Sequence, residues 1–402
     1  MTARTMDGRT AIRANVTSVS KAPASAAPRL LFIDNIRWAM ILLVLSMHAA
    51  DTYSPFGNWY YTEHPAAGPA TTLFFLTYQT FLQGFFMALL FFVAGYFTPK
   101  SYDAKGPGRF LAGRLYRLGL PTLLYVAVIG PVTEYYIAHS WRTPHSFAHE
   151  MGLYVVRARF LSGTGPMWFC AALLIFGFGY AALRAARPPR PSSTTPQAPG
   201  AAGAALVVAG LALATFAVRI AIPGGTSVFN MSPADFPAYV IMFALGVTAG
   251  RTGWLTLVSD RFAWWAAGVC VGAAVLAWAP LLVLGGAFRG QSAAYAGGLH
   301  WQSAARSLWE ALVCVGMGFG VLAAFRARLP GQGRVARFMS DNAFAVYVVH
   351  PPVLIGLALA LAPLPLLPVP KFALLWGLSV LACFGLAAPL ARRIPLVGRV
   401  LQ

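Results

Sequence analysis

Ten stretches of this chain each carry about 20 mostly apolar residues, the length an α-helix needs to cross the hydrocarbon core of a bilayer. They fall near 30–50, 73–98, 111–138, 166–184, 202–222, 235–250, 262–284, 303–326, 338–362 and 371–391. Inside lipid no water satisfies backbone N–H and C=O groups, so runs of this length must satisfy their own as helices. The fold class expected is therefore all-α, a polytopic membrane bundle of about ten transmembrane helices. Composition agrees. The 402 residues are 58% hydrophobic and 10% charged, whereas soluble domains carry about a quarter charged residues.

Net charge is +19, but the basic residues fall between apolar runs and not in a stripe or tail, which argues against nucleic acid as a partner. Their distribution sets an orientation, because short loops rich in Lys and Arg stay cytoplasmic. One side collects 22 of the 30 Lys and Arg residues, and both termini fall on it. Residues 1–29 read as a disordered cytoplasmic tail, 30–392 as one membrane domain and 393–402 as a cytoplasmic tail. The stretch 187–203, RPPRPSSTTPQAPGAAG, reads as a flexible cytoplasmic linker. The first run lacks a small-residue cleavage site after it and reads as a retained signal anchor. Cys170, Cys270, Cys314 and Cys383 lie in apolar segments without ligand spacing, so neither disulfides nor a metal is expected. His139, His145 and His149 lack a cysteine or a carboxylate pair and read as solvated loop residues.

Arg37 and His48 stand eleven positions apart in the first run. At about 100° per residue they share a helix face, separated along the axis by about 16 Å, with His48 towards the outer side. Ionisable groups at membrane depth are costly and mark functional candidates. The alternative is structural: Arg37 pairs with Asp34 at i, i+3, and His48 makes an interfacial hydrogen bond. The loop that follows, DTYSPFGNWYYTEHP, brings Asp51, Trp59, Tyr60, Tyr61, Glu63 and His64 near the outer end of His48. Aromatic faces beside acidic groups suit sugar recognition, and equally an interfacial aromatic belt.

The words RLLFIDNIRWAMILLVLSMHA (29–49), FFVAGYF (91–97), RLYRLGLP (114–121), GPMWFCAALLIF (165–176) and SDNAFAVYVVHPPVL (340–354) together resemble the membrane-bound acyltransferase 3 family, in its glucan-biosynthesis and surface-polysaccharide branch. That resemblance implies an integral O-acyltransferase of the bacterial cytoplasmic (inner) membrane. It would carry an acyl group from acyl-CoA, a donor substrate and not a tightly bound cofactor, to a hydroxyl of a carbohydrate or related envelope acceptor. His48 matches the catalytic position, and an alcohol needs such a base to attack a thioester near neutral pH. Arg37 matches the motif arginine. Arg114 and Arg117, ahead of Pro121, match an arginine pair able to hold coenzyme A phosphates, although ordinary cytoplasmic anchoring fits them too.

Glu134, at the depth of His48, is a candidate to orient the imidazole, or else to meet a cation such as Arg219. Arg306 and Glu310 stand at i, i+4 and most simply neutralise each other. His350 is a candidate substrate contact with Trp59 and Tyr60, or a helix-to-helix hydrogen bond. The competing function is a transporter or flippase for a lipid-linked or polyanionic solute, which would use the same buried Arg and His groups. No internal repeat of useful length supports it.

Overall fold

Every regular element among the described residues is helical, as lipid demands, apart from an isolated bridge between Val228 and Met231. The computed structural model describes residues 1–2, 30–63, 67–141, 146–161, 163–187 and 197–401. The expected tail, apart from residues 1 and 2, lies outside them, as do His64, Arg142, His145 and most of the linker. Residues 31–402 form one unit and residues 1–30 another.

The helices run α1 Leu31–Tyr53, α2 Pro69–Gln83, α3 Phe86–Arg114, α4 Leu120–Leu124, α5 Gly130–Trp141, α6 Phe147–Val156, α7 Trp168–Ala186 and α8 Ala201–Ala221. They continue as α9 Phe236–Thr252, α10 Asp260–Leu284, α11 Ala293–Ala296, α12 Trp301–Arg328, α13 Arg334–Leu361, α14 Pro368–Ala382, α15 Ala388–Arg393 and α16 Pro395–Val400.

Nine helical stretches among the described residues are long and apolar enough to cross a membrane, one of them the 67-residue stretch Pro69–Tyr135. That stretch cannot be one straight rod. Arg114 Nη2 donates to Thr98 Oγ1 at 3.0 Å, whereas sixteen residues of straight helix span about 24 Å. The chain doubles back at Gly106, whose φ of 74° lies in the left-handed region open to glycine. The stretch thus holds two passes, which recovers the bundle of about ten. Its first pass is itself broken between α2 and α3, where Phe85 leaves helical geometry at φ −136°, ψ −37°.

Proline explains three wide turns. At Leu115–Gly119, Tyr125–Ile129 and Cys383–Ala387 the N–H of Leu120, Gly130 or Ala388 reaches back five residues, and each of those donors directly precedes a proline: Pro121, Pro131 or Pro389. A proline supplies no N–H and crowds the carbonyl four residues before it, and the helix accommodates this by widening one turn.

Packing is closest between α3 and α9. A Cβ at Gly95 would meet the Phe243 carbonyl oxygen at 2.2 Å, and one at Gly246 the Phe92 oxygen at 2.0 Å. Small residues let backbones approach in lipid, where packing and not water exclusion drives association. This accounts for the glycine in FFVAGYF.

Polar contacts gather at two ends of the bundle. At the basic end Arg184 meets Asp103 at 3.0 Å, Arg326 meets Asp260 at 2.5 Å, and Arg392 donates to Asn342 at 3.0 Å. Asn35, at the start of α1, donates there to the carbonyls of Leu329 and Gly331 at 2.9 and 2.8 Å. At the other, aromatic end Lys371 meets Glu63 at 2.8 Å and Arg159 meets Glu134 at 3.2 Å. The pairs Arg184–Asp103, Arg326–Asp260 and Arg159–Glu134 each join groups expected on one side of the membrane, while Lys371, at the edge of a span, meets Glu63 of the loop after α1.

Candidate functional site

Helix α1 continues to Tyr53, beyond the expected end at residue 50, and this extra turn changes the reading of Asp51. It belongs to the helix and not to the loop, so it stands at i, i+3 from His48 on a neighbouring face. Its Oδ2 lies 3.4 Å from His48 Nδ1, a long hydrogen bond of the kind seen in unliganded sites. Its Oδ1 accepts from Gln79 Nε2 at 2.7 Å, and Gln79 Oε1 accepts from Ser54 Oγ at 2.7 Å. With Asp51 ionised, this hydrogen-bond chain has one consistent proton assignment. Phe56 N–H donates to Ser54 Oγ at 3.1 Å; the serine proton goes to Gln79, whose amide then donates to the carboxylate. The carboxylate can only accept, so the proton of neutral His48 sits on Nδ1 and its Nε2 carries the lone pair. The His48 side chain is 24% exposed, so this base is reachable.

The loop after α1 folds back over His48. Glu63 N–H donates to the Thr52 carbonyl at 2.9 Å, and the Glu63 carboxylate is pinned by Lys371 from the start of α14. Trp59 thereby meets the His48 ring edge to face. Next to it, the phenols of Tyr60 and Tyr125 are 3.2 Å apart, and burial pushes the Tyr60 hydroxyl up to about 12. Gly165 closes this corner at φ 46°, where a Cβ would lie 2.4 Å from the Tyr60 oxygen and 2.8 Å from the Tyr125 ring. Glycine alone fits there, and it opens the word GPMWFCAALLIF.

The word SDNAFAVYVVHPPVL delivers the second imidazole. His350 is fully buried and its ring lies 5.3 Å from that of His48 at 16°, nearly parallel. Pro351 has no N–H to give the carbonyl four residues earlier, which is that of Tyr347. His350 Nδ1 donates to this freed carbonyl at 2.7 Å, which leaves its Nε2 as a bare acceptor. The Tyr347 hydroxyl bonds the Pro166 carbonyl, so two of the sequence words meet directly beside the site.

His48, Trp59 and His350 thus come together, with Tyr60 alongside. Glu134 does not join them: it pairs with Arg159, and the carboxylate at the imidazole is Asp51. Arg37 is at the basic end, 53% exposed and 3.5 Å from Asp34. Arg114 is there too, held by Thr98 and by the face of Phe110 at 5.2 Å, with Arg117 exposed beside it. The pair expected between Arg306 and Glu310, at 2.8 Å, is part of a larger cluster. Buried Arg219 meets Glu310 at 2.7 Å and Asp235 at 3.0 Å, giving two cations and two carboxylates. Among the described residues no group of His, Cys, Asp and Glu is arranged to hold a metal ion.

Asp51 was expected near His48 but in a loop and not as its partner, and Gln79 and Ser54 were not expected at the site at all. The i, i+3 spacing was a usable signal for Asp51, but Gln79 had none, since its contact depends on how α2 packs against α1. No curated protein and no solved structure matches the chain. The model of a family described as an acyltransferase domain matches residues 30–388. Extended apolar helices over that same range, and a match covering most of the chain, make this a multi-pass membrane protein of the acyltransferase 3 family, and so an acyltransferase.

Proposed function

We propose that the protein is an O-acyltransferase of the bacterial cytoplasmic membrane that moves an acyl group from acyl-CoA to a hydroxyl of a carbohydrate or related envelope acceptor. The observation that carries this reading is the Asp51 carboxylate at His48 Nδ1, which leaves Nε2 basic and accessible. In the reaction His48 Nε2 takes the proton of the acceptor hydroxyl as its oxygen attacks the thioester carbonyl. Asp51 stabilises the imidazolium that forms. Collapse of the tetrahedral intermediate breaks the C–S bond, and the proton on His48 passes to the departing thiolate. The products are an ester and free coenzyme A.

The donor's phosphates lie at the basic end, on Arg37, Arg114 and Arg117, and its long arm carries the thioester along α1 towards His48. The about 16 Å of helix between Arg37 and His48 suits such an elongated donor. The basic end is cytoplasmic and the aromatic end faces outwards, in keeping with the excess of Lys and Arg on one side. The test is mass spectrometry of envelope glycans and lipids from cells expressing the wild type or His48→Ala. An acyl mass present with the first and lost with the second is expected. Equal acylation in both would remove His48 from the mechanism.

A further inference from the structure

Two buried polar atoms, on rings that both contact the His48 ring, have no hydrogen-bond partner in the protein: Trp59 Nε1 and His350 Nε2. They are of opposite kind. The indole N–H can only donate, and His350 Nε2 can only accept, because Nδ1 carries the ring proton. Their rings stand 5.9 Å apart at 89°, and both contact the His48 ring. A buried polar atom left unsatisfied is costly, and sites that bind polar ligands carry such atoms for the ligand to satisfy.

We infer that Trp59 Nε1 and His350 Nε2 form a hydroxyl-binding subsite, and that the acceptor carries a second hydroxyl next to the one that is acylated. A hydroxyl matches both atoms in kind, since it donates one proton and accepts on its lone pairs. A carboxylate offers no proton, an ammonium offers no lone pair, and an amide nitrogen does not accept. It must be a second hydroxyl, because the reacting one has a single proton and gives it to His48. With the His48 and His350 rings only 5.3 Å apart, the two hydroxyls they engage belong on adjacent or next-adjacent carbons, the arrangement of a sugar ring or polyol. The inference rests on the acyl-transfer reading above and narrows its acceptor class.

The test first maps the ester on the product by tandem mass spectrometry and NMR, in material from cells expressing the wild type. An acylated oxygen with a free hydroxyl on an adjacent or next-adjacent carbon is expected, and an ester on an isolated hydroxyl overturns the subsite. Absence of any acylated product would instead overturn the acyl-transfer reading. Purified protein is then given the mapped acceptor and its deoxy analogue lacking that neighbouring hydroxyl. The wild type should favour the full acceptor by at least about 100-fold in kcat/KM, since a site built to bond a hydroxyl rejects the analogue without it. Trp59→Phe keeps an aromatic ring at the site and removes the donor together with part of the indole. His350→Asn keeps a donor for the Tyr347 carbonyl and deletes Nε2. Both should lose most of that preference, with the fall in kcat/KM much larger on the full acceptor than on the deoxy analogue. A wild type indifferent to the deoxy change, or variants that lose equally on both acceptors, would overturn the subsite.

Discussion

Replacing Asp51 with Asn changes one atom and tests the proton assignment on which the site depends. In the wild type the carboxylate accepts twice, from Gln79 Nε2 at 2.7 Å and from His48 Nδ1 at 3.4 Å. An amide can accept on one side only. If its oxygen stays with Gln79, its NH2 faces His48, Nδ1 must accept, and the proton moves to Nε2, which abolishes the base. If the amide flips, it presents a donor to Gln79. Gln79 must then flip as well, and the Ser54 proton loses its acceptor, a cost of about 1 kcal/mol. In both arrangements the negative charge that stabilises the imidazolium is gone. The analogous change in serine-protease triads lowers kcat by about 10⁴-fold; here the longer 3.4 Å contact argues for a smaller effect. We expect a loss of about 10³-fold in kcat, or about 4 kcal/mol of transition-state stabilisation, with KM nearly unchanged. The assay is ester formation by protein reconstituted in nanodiscs, under saturating donor and acceptor. A variant within threefold of the wild type would refute the role given to Asp51.

Other changes probe the support around the site. Gly165→Ala puts a methyl group where the backbone has φ 46° and the Tyr60 oxygen is 2.4 Å away, so a lower thermal midpoint in detergent, by about 1–3 kcal/mol of stability, is expected; an unchanged midpoint would show that Tyr60 and Tyr125 yield freely. Pro351→Ala restores an N–H that competes with His350 Nδ1 for the Tyr347 carbonyl, and transfer activity should fall about tenfold as His350 loses its fixed tautomer. Arg219→Leu leaves Asp235 and Glu310 without their shared buried partner and should cost about 3–5 kcal/mol in thermal or denaturant unfolding. Arg306→Gln, at a side chain 28% exposed, should cost about 1 kcal/mol or less by the same measurement.

The bundle was legible in the sequence because lipid imposes a simple rule on the chain: runs of about 20 apolar residues, separated by basic loops on one side. The line from Arg37 to His48 was equally legible, since both lie on one helix and their relation follows from helical geometry. Where the helix ended was less so. Stopping the first run at Ala50 put Asp51 in a loop, and three further residues of helix turn it into the partner of His48. Contacts between distant segments left no local trace. His48 and His350 are 302 positions apart, and Arg219 finds Glu310 across 91, while the i, i+4 spacing of Arg306 and Glu310 pointed to a self-contained pair. Glu134 was placed by depth alone, and depth does not say which way a side chain turns; it turns to Arg159. The HPP triplet carried a signal that only structure made readable, because the missing N–H of Pro351 matters once His350 is seen to use the carbonyl it frees.

If His48 is the base for acyl transfer, removing its imidazole must stop ester formation without unfolding the protein. Purified wild type and His48→Ala, reconstituted in nanodiscs with acetyl-CoA and the acceptor mapped from cells, are compared for ester formed and free thiol released in the same reaction. The wild type is expected to form one ester per thiol released, and His48→Ala at least about 10³-fold less ester while keeping the wild-type thermal midpoint. Ester formation at the wild-type rate by a folded His48→Ala protein would contradict that role.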